Sequence, residues 1–158
     1  MTVTLRPVTP EDEEVLLRIY QSARAEELAQ VPWSDSQREA FLRMQLAAQH
    51  AHYQQHNPAA TYDLILLDDE VIGRLYVARR EQEIRILDIT LLHAHRNRGV
   101  GTSLIKGLME EAASTGKPLN IYVEFYNPSY RLFERLGFLK VDRPDDDGVN
   151  HLMEWQGR

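Results

Sequence analysis

Between Leu91 and Ile105 the chain reads LLHAHRNRGVGTSLI, and this stretch limits the possible folds more than any other. An apolar, strand-like run ends at its start. A basic, glycine-bearing turn follows, Arg96-Asn97-Arg98-Gly99-Val100-Gly101, and a helical pattern begins at about Thr102. The backbone N–H groups of a helix's first turn have no partner within the helix, and the helix dipole favours an anion there. Glycine lets a backbone come close to that anion and take positive φ. A strand, a tight glycine turn and a helix start therefore predict a phosphate-holding turn in an α/β protein. The Rossmann fingerprint does not fit, because Leu104 stands where the third glycine belongs. Nor does a Walker A loop, because no Gly-Lys-Ser/Thr occurs.

The chain on either side predicts the rest of the fold. Val3–Val8 alternates as a first strand. Thr9-Pro10-Glu11-Asp12 is a helix start, and Val15, Leu16, Ile19, Tyr20 and Ala23 recur at helical spacing to about Leu28. Val31-Pro32-Trp33 breaks that helix. Ser34 with Gln37 forms a capping box for a second helix, which Asn57-Pro58 stops. Tyr62–Leu67 and Val71–Ala78 read as a hairpin around Asp68-Asp69-Glu70, with Gly73 as a bulge position. Ile84–Leu92 is a mostly apolar and hence central fourth strand. Leu104, Ile105, Leu108, Met109, Ala112 and Ala113 stripe a third helix that Gly116 ends. Pro118–Phe125 is a fifth strand, parallel to the fourth because a helix joins them. A short helix from Asn127 to Leu136, a strand at Phe138–Val141, a turn at Arg143–Gly148 and a last strand at Val149–Trp155 complete the order β-α-α-β-β-β-α-β-α-β-β. At 158 residues, without repeats or linkers, the expectation is one α/β domain with a mixed sheet over residues 1–158.

Composition narrows the function. The net charge of −6 argues against nucleic acid as a partner. The absence of cysteine excludes disulfides, zinc–thiolate sites and cysteine nucleophiles. No apolar run approaches the roughly 20 residues of a membrane span, and the N-terminus lacks a signal-peptide pattern. The expectation is a cytoplasmic protein with no membrane partner.

Downstream of the glycine turn, Asn127 to Phe138 reads NPSYRLFERLGF. The turn, as Arg/Gln-x-x-Gly-x-Gly/Ala carried by Arg96, Gly99 and Gly101, and this second motif lie in order with a helix and a strand between them. Together they make the chain resemble the GNAT superfamily of acyl-CoA-dependent N-acetyltransferases over essentially its whole length. The resemblance implies acetyl-CoA as acyl donor, a primary amine of a small molecule or protein as acceptor, no metal, and fourth and fifth strands that splay apart. It also allows a homodimer.

The same resemblance assigns residues. The pyrophosphate falls to the backbone of Asn97, Arg98, Gly99, Val100, Gly101 and Thr102, with Arg96 in the motif. The pantetheine arm falls to Ile89, Thr90 and Leu91 on strand four, with a backbone N–H near Leu91 for the oxyanion, and to Asn127, which can equally cap a helix. The family's thiolate-protonating tyrosine is replaced by Phe133, which has no proton to give. Either the thiolate leaves unaided or Tyr130 or Tyr126 substitutes. For the base the available carboxylates are Asp88, Glu124 and Glu83. Asp88 interrupts an apolar strand, where an unpaired carboxylate is costly, so it is either a base or a partner for an arginine. Trp33, on the loop between the first two helices, either walls an acceptor pocket or plugs the core. His52 and His56 share a helix face, but without a third ligand they read as an exposed polar face rather than a metal site. The missing tyrosine keeps a catalytically idle acyl-CoA-binding domain open as an alternative. Transfer to a hydroxyl and a longer acyl donor stay open as well.

Overall fold

The computed structural model describes residues 2–157. Its strands are β1 (Val3–Pro7), β2 (Thr61–Leu67), β3 (Glu70–Arg79), β4 (Ile84–Leu91), β5 (Leu119–Glu124), β6 (Leu139–Lys140) and β7 (Asn150–Trp155). Its helices are α1 (Glu13–Ala29), α2 (Asp35–His56), α3 (Val100–Thr115) and α4 (Ser129–Arg135). The element order is the one the sequence predicts. The seven strands form one mixed sheet in the order β1-β2-β3-β4-β5-β7-β6. β4 and β5 are parallel, and their pairing covers Ile84–Ile86 against Leu119–Ile121, although both strands run on past it.

The chain divides into two compact units. One holds the residues up to Tyr76 together with Asp88–Arg98; the other holds Val77–Leu87 and the residues from Gly99 onward. In the first unit β1 pairs antiparallel with β2. The β2–β3 turn has Asp68 at φ 49° and Asp69 at φ 70°. Two successive left-handed residues make the tight turn whose twist matches a hairpin. Thr9 and Asp12 form a capping box around a 3₁₀ turn at Pro10–Asp12, so α1 starts later than Thr9 alone suggests. Ser34 and Gln37 cap α2 as the sequence predicts. Leu16, Ile19 and Leu64 form one buried cluster, and Leu17, Tyr20, Leu28 and Leu42 a second. Each such side chain contributes about 1.5–3 kcal/mol when fully removed from water. Gly73 is needed for close approach. A Cβ there would run into the carbonyl oxygen of Thr90 and lie 2.9 Å from Leu91 Cδ2.

In the second unit α3 buries Val100, Ile105, Leu108 and Ala112. Gly116, at φ 70°, closes the helix. β5 turns Leu119, Ile121 and Val123 inward and pairs antiparallel with β7. Asn120, on the alternate face of β5, is also buried at 1% exposure. It is held by polar partners, donating to Glu83 Oε2 at 2.6 Å and Glu154 Oε2 at 3.2 Å and accepting from Arg85 Nε.

Candidate functional site

The glycine turn adopts the conformation its residues suggest. A 3₁₀ turn at His93–His95 follows β4, Asn97 sits at φ 62°, and Gly99 at φ 85° is the N-cap of α3. The helix begins at Val100, earlier than the Thr102 expected, because Gly99 already takes the cap conformation and its carbonyl accepts from Ser103 N at 2.9 Å. The amides of Val100, Gly101 and Thr102 thus form the helix's open first turn. A Cβ at Gly99 would meet nothing within 4 Å. Glycine is required there by φ, and the space beside the backbone is clear.

The two arginines of the turn differ. Arg96 is an internal brace: its Nε donates to the Leu91 carbonyl at 2.9 Å and its Nη2 to the Ser22 carbonyl at 3.4 Å. The Ser22 hydroxyl also accepts from His93 N at 3.0 Å. Arg98 is exposed and, among the described residues, makes no ion pair or side-chain hydrogen bond. Arg98 is thus the cation available to an anion at the turn.

On β4, Ile89, Thr90 and Leu91 are half-buried. Asp88 is engaged: Arg74 Nη2 donates to its Oδ2, and the Thr90 hydroxyl donates to its Oδ1 at 2.6 Å. Arg74 also donates to Gln49 Oε1 at 2.9 Å and lies over the Tyr76 ring, 4.8 Å from its centroid. Burial, the largest influence, works against the Arg74 charge, but the Asp88 charge and hydrogen bond together with Tyr76 and Tyr53 outweigh it, and the guanidinium titrates above its ordinary value. Tyr53, Tyr62 and Tyr76 stack edge-on beside it, Tyr62 and Tyr76 with centroids 5.0 Å apart. Burial, with the Asp88 charge second, pushes the Tyr53 phenol well up. The sequence carries a signal for this network. Arg74 interrupts an apolar strand as Asp88 does, and the register of β3 against β4 is what brings the two together.

The other carboxylates separate cleanly. Glu83 accepts from Asn120 and from Arg80 Nη1, the latter at 2.8 Å. Burial alone would raise Glu83, but the Asn120 and Arg80 hydrogen bonds and the Arg85 charge hold it below the usual carboxylate value. Glu124 is half-buried and, among the described residues, no donor reaches its carboxylate.

On the segment after β5, Asn127 Oδ1 accepts from both Ser129 N and Ser129 Oγ at 2.9 Å, just ahead of α4, whose N-cap is Pro128. Phe133 is 1% exposed and packs edge-to-face on Phe138 at 5.2 Å, so its ring belongs to the core. The Tyr130 hydroxyl bonds His151 Nδ1 at 2.8 Å. Burial, with Glu134 second, pushes the Tyr130 phenol above its ordinary value, so it holds its proton at neutral pH.

The first unit also contains an open cavity of about 460 Å³. Val8, Leu16, Leu17 and Leu46 give it apolar walls, and Thr9, Glu13, Arg43, Gln49, His50, Gln54 and Arg74 are among its polar lining. It lies against α1 and α2. Trp33 does not line it; that ring is 36% exposed and tilts against Phe41 at 5.1 Å. His56 bonds the His52 carbonyl at 2.9 Å, and no group of three or more potential ligands for a metal occurs among the described residues. No described helix is long and apolar enough to cross a membrane.

The profile described as "Acetyltransferase (GNAT) family" matches residues 17–138, across both the glycine turn and NPSYRLFERLGF. The chain belongs to the GNAT acetyltransferase family. It is therefore an acyltransferase of the acetyl-CoA-dependent kind. Solved structures agree on the GNAT fold. The PaiA N-acetyltransferase of Thermoplasma acidophilum, solved with coenzyme A, superposes with a TM-score of 0.72 at 18% identity, over 99% of each chain. An acetyltransferase of Thermus thermophilus gives 0.69 at 19% identity, over 98% of this chain and 97% of the other. The ribosomal-protein-S18-alanine N-acetyltransferase of Escherichia coli gives 0.63 at 19% identity, over 97% and 91%. No curated protein matches the chain by sequence.

Proposed function

We propose that the whole chain serves as one N-acetyltransferase domain that moves an acetyl group from acetyl-CoA to a primary amine. The observation that carries this reading is the start of α3. Its open amides at Val100–Thr102, the left-handed Gly99 with clear space beside it, and the unpaired Arg98 fit a pyrophosphate. Arg96 contributes by fixing the turn. We assign the pantetheine arm to the backbone of Ile89–Leu91 and to the Nδ2 of Asn127, whose Oδ1 is already engaged by Ser129.

An ammonium with a pKa of about 10 must lose a proton before it can attack. The amine nitrogen then bonds the thioester carbon, the C–S bond breaks, and the thiolate takes a proton. We assign the base to Glu124, acting directly or through water, because Asp88 and Glu83 already have cationic and amide donors. The oxyanion falls to a backbone N–H near Leu91. Tyr130, neutral and oriented by His151, supplies the proton that Phe133 lacks the hydroxyl to give.

Release of free thiol from acetyl-CoA, followed with a thiol reagent across an amine panel, tests the reaction. Acceptor-stimulated release is expected, with Glu124→Gln lowering kcat and leaving acetyl-CoA binding intact. Binding of acetyl-CoA with no stimulation by any amine, alcohol or longer acyl donor would instead favour an idle acyl-CoA-binding domain, the reading motivated by Phe133.

A further inference from the structure

We infer that His151 is a positioning residue for acyl transfer: with a proton on Nδ1 it turns the Tyr130 hydroxyl toward the leaving thiolate and then replaces the proton that Tyr130 gives up. This rests on Tyr130 as the proton donor of the proposed reaction. The Tyr130 hydroxyl oxygen and His151 Nδ1 lie 2.8 Å apart. Two lone pairs do not face each other at that distance, so one hydrogen lies between the atoms. It has two possible owners. When Nδ1 is bare, the phenol donates to it, and its single proton is committed to the ring. When Nδ1 carries the hydrogen, the imidazole donates to the phenol oxygen, and the phenol proton is free for a second acceptor.

The surroundings of the imidazole favour the second arrangement. Phe125 stacks on the His151 ring, with centroids 5.9 Å apart and planes at 29°. The Tyr130 ring meets it edge-on at 5.5 Å. An aromatic face within about 6 Å attracts a cation. On the turn before β7, the Asp146 carboxyl is held below the usual carboxylate range, by the Gly148 amide first and Lys140 next, and the His151 charge adds to this. Lys140 on β6 opposes an imidazolium, but its Nζ is met by Asp146 Oδ2 at 3.2 Å. Glu134 on α4 acts on the Tyr130 phenol. Asp147 accepts from Val149 N and Asn150 N. On β5, His151 stands opposite Val123 and Asn150 opposite Glu124, so strand alternation puts Glu124 on the other face.

The proton transfer then balances. As the thiolate leaves, its sulfur takes the phenol proton, so an S–H bond forms and the O–H bond breaks. The Nδ1 proton crosses the existing hydrogen bond to the tyrosinate oxygen. His151 is left neutral with its proton on Nε2, and Nδ1 regains one from water.

The test is the loss of kcat caused by Tyr130→Phe, measured as thiol release from acetyl-CoA in two backgrounds, the native chain and His151→Asn. The acceptor is whichever of propylamine, benzylamine and lysinamide stimulates release most. Because the loss is a ratio at one pH, the amine's own ionisation cancels. An imidazole ordinarily changes charge between about pH 5 and 8. In the native chain the loss should be at least about tenfold near pH 6 and should shrink severalfold above about pH 8. Asn places an amide N–H the same number of bonds from the backbone as Nδ1, and that donor does not titrate. With His151→Asn the loss should therefore be as large above about pH 8 as near pH 6. A loss that is independent of pH in the native chain, or equally pH-dependent with His151→Asn, would overturn the inference and leave Tyr130 as the donor. No loss at either pH would overturn the assignment of Tyr130 as well. Thiol release that no amine stimulates would overturn the acetyltransferase reading itself.

Discussion

Arg74 on β3 and Asp88 on β4 form an ion pair in which the guanidinium is 3% exposed and the carboxylate 14%. Removing one member strands the other charge away from water. Asp88→Asn and Arg74→Met should each lower stability by about 3–5 kcal/mol. The double variant should lose clearly less than the sum, because neither charge is then left unpaired. Urea unfolding of the four proteins measures this, and additive losses would contradict it.

Gly73 makes a different demand on the same two strands. A methyl group at this position meets the backbone oxygen of Thr90, which cannot swing aside as a flexible side chain would. Gly73→Ala should lower the melting temperature markedly, in the range of a strained core substitution of about 1–3 kcal/mol. A neutral effect in thermal melts would show that the strands can part there at little cost.

The Arg6–Asp12 pair sets an acid limit. The Arg6 hydrogen bonds, first among the causes and aided by Thr9, outweigh burial and hold Asp12 at about 2. A carboxyl depressed in the folded state stabilises fully above its unfolded value of about 3.9. That stabilisation is lost as pH falls through about 2. Arg6→Gln should therefore move the acid-unfolding midpoint, followed by circular dichroism, to higher pH, with little change in the midpoint expected only if the pair is idle.

Arg96 and Arg98, two residues apart, should fail differently. Arg98→Gln should weaken acetyl-CoA binding by about tenfold or less, with the loss shrinking at high salt and stability unchanged, as for an exposed cation meeting phosphate. Arg96→Gln removes the brace to Leu91 and Ser22, so it should lower the melting temperature of the free protein as well. Titration at two salt concentrations together with thermal melts separates the two.

These residues also mark what is legible in the sequence alone. Caps, turns and periodicity are local, so Ser34–Gln37, Asp68-Asp69, Gly99 and Gly116 have the expected roles. The two motifs place the chain in its family for the same reason. Pairings across the sheet are not local. Asp88 stands out as an anomaly on its strand, but Arg74 as its partner depends on strand register. Asn127 bonds Ser129 ahead of α4 while Pro128 takes the N-cap, and Phe133 is core because its helix faces Phe138. The cavity, built from elements distant in sequence, leaves no trace in any single stretch.

The central claim is that the first turn of α3 holds the pyrophosphate of acetyl-CoA. Calorimetric titration of acetyl-CoA into the wild type and Gly99→Asp tests it most directly. Asp at this position adds a negative charge beside the open amides and strains a φ of 85°. The prediction is saturable binding to the wild type and none to a folded Gly99→Asp protein. Equal binding by both, or no binding by the wild type, would contradict it.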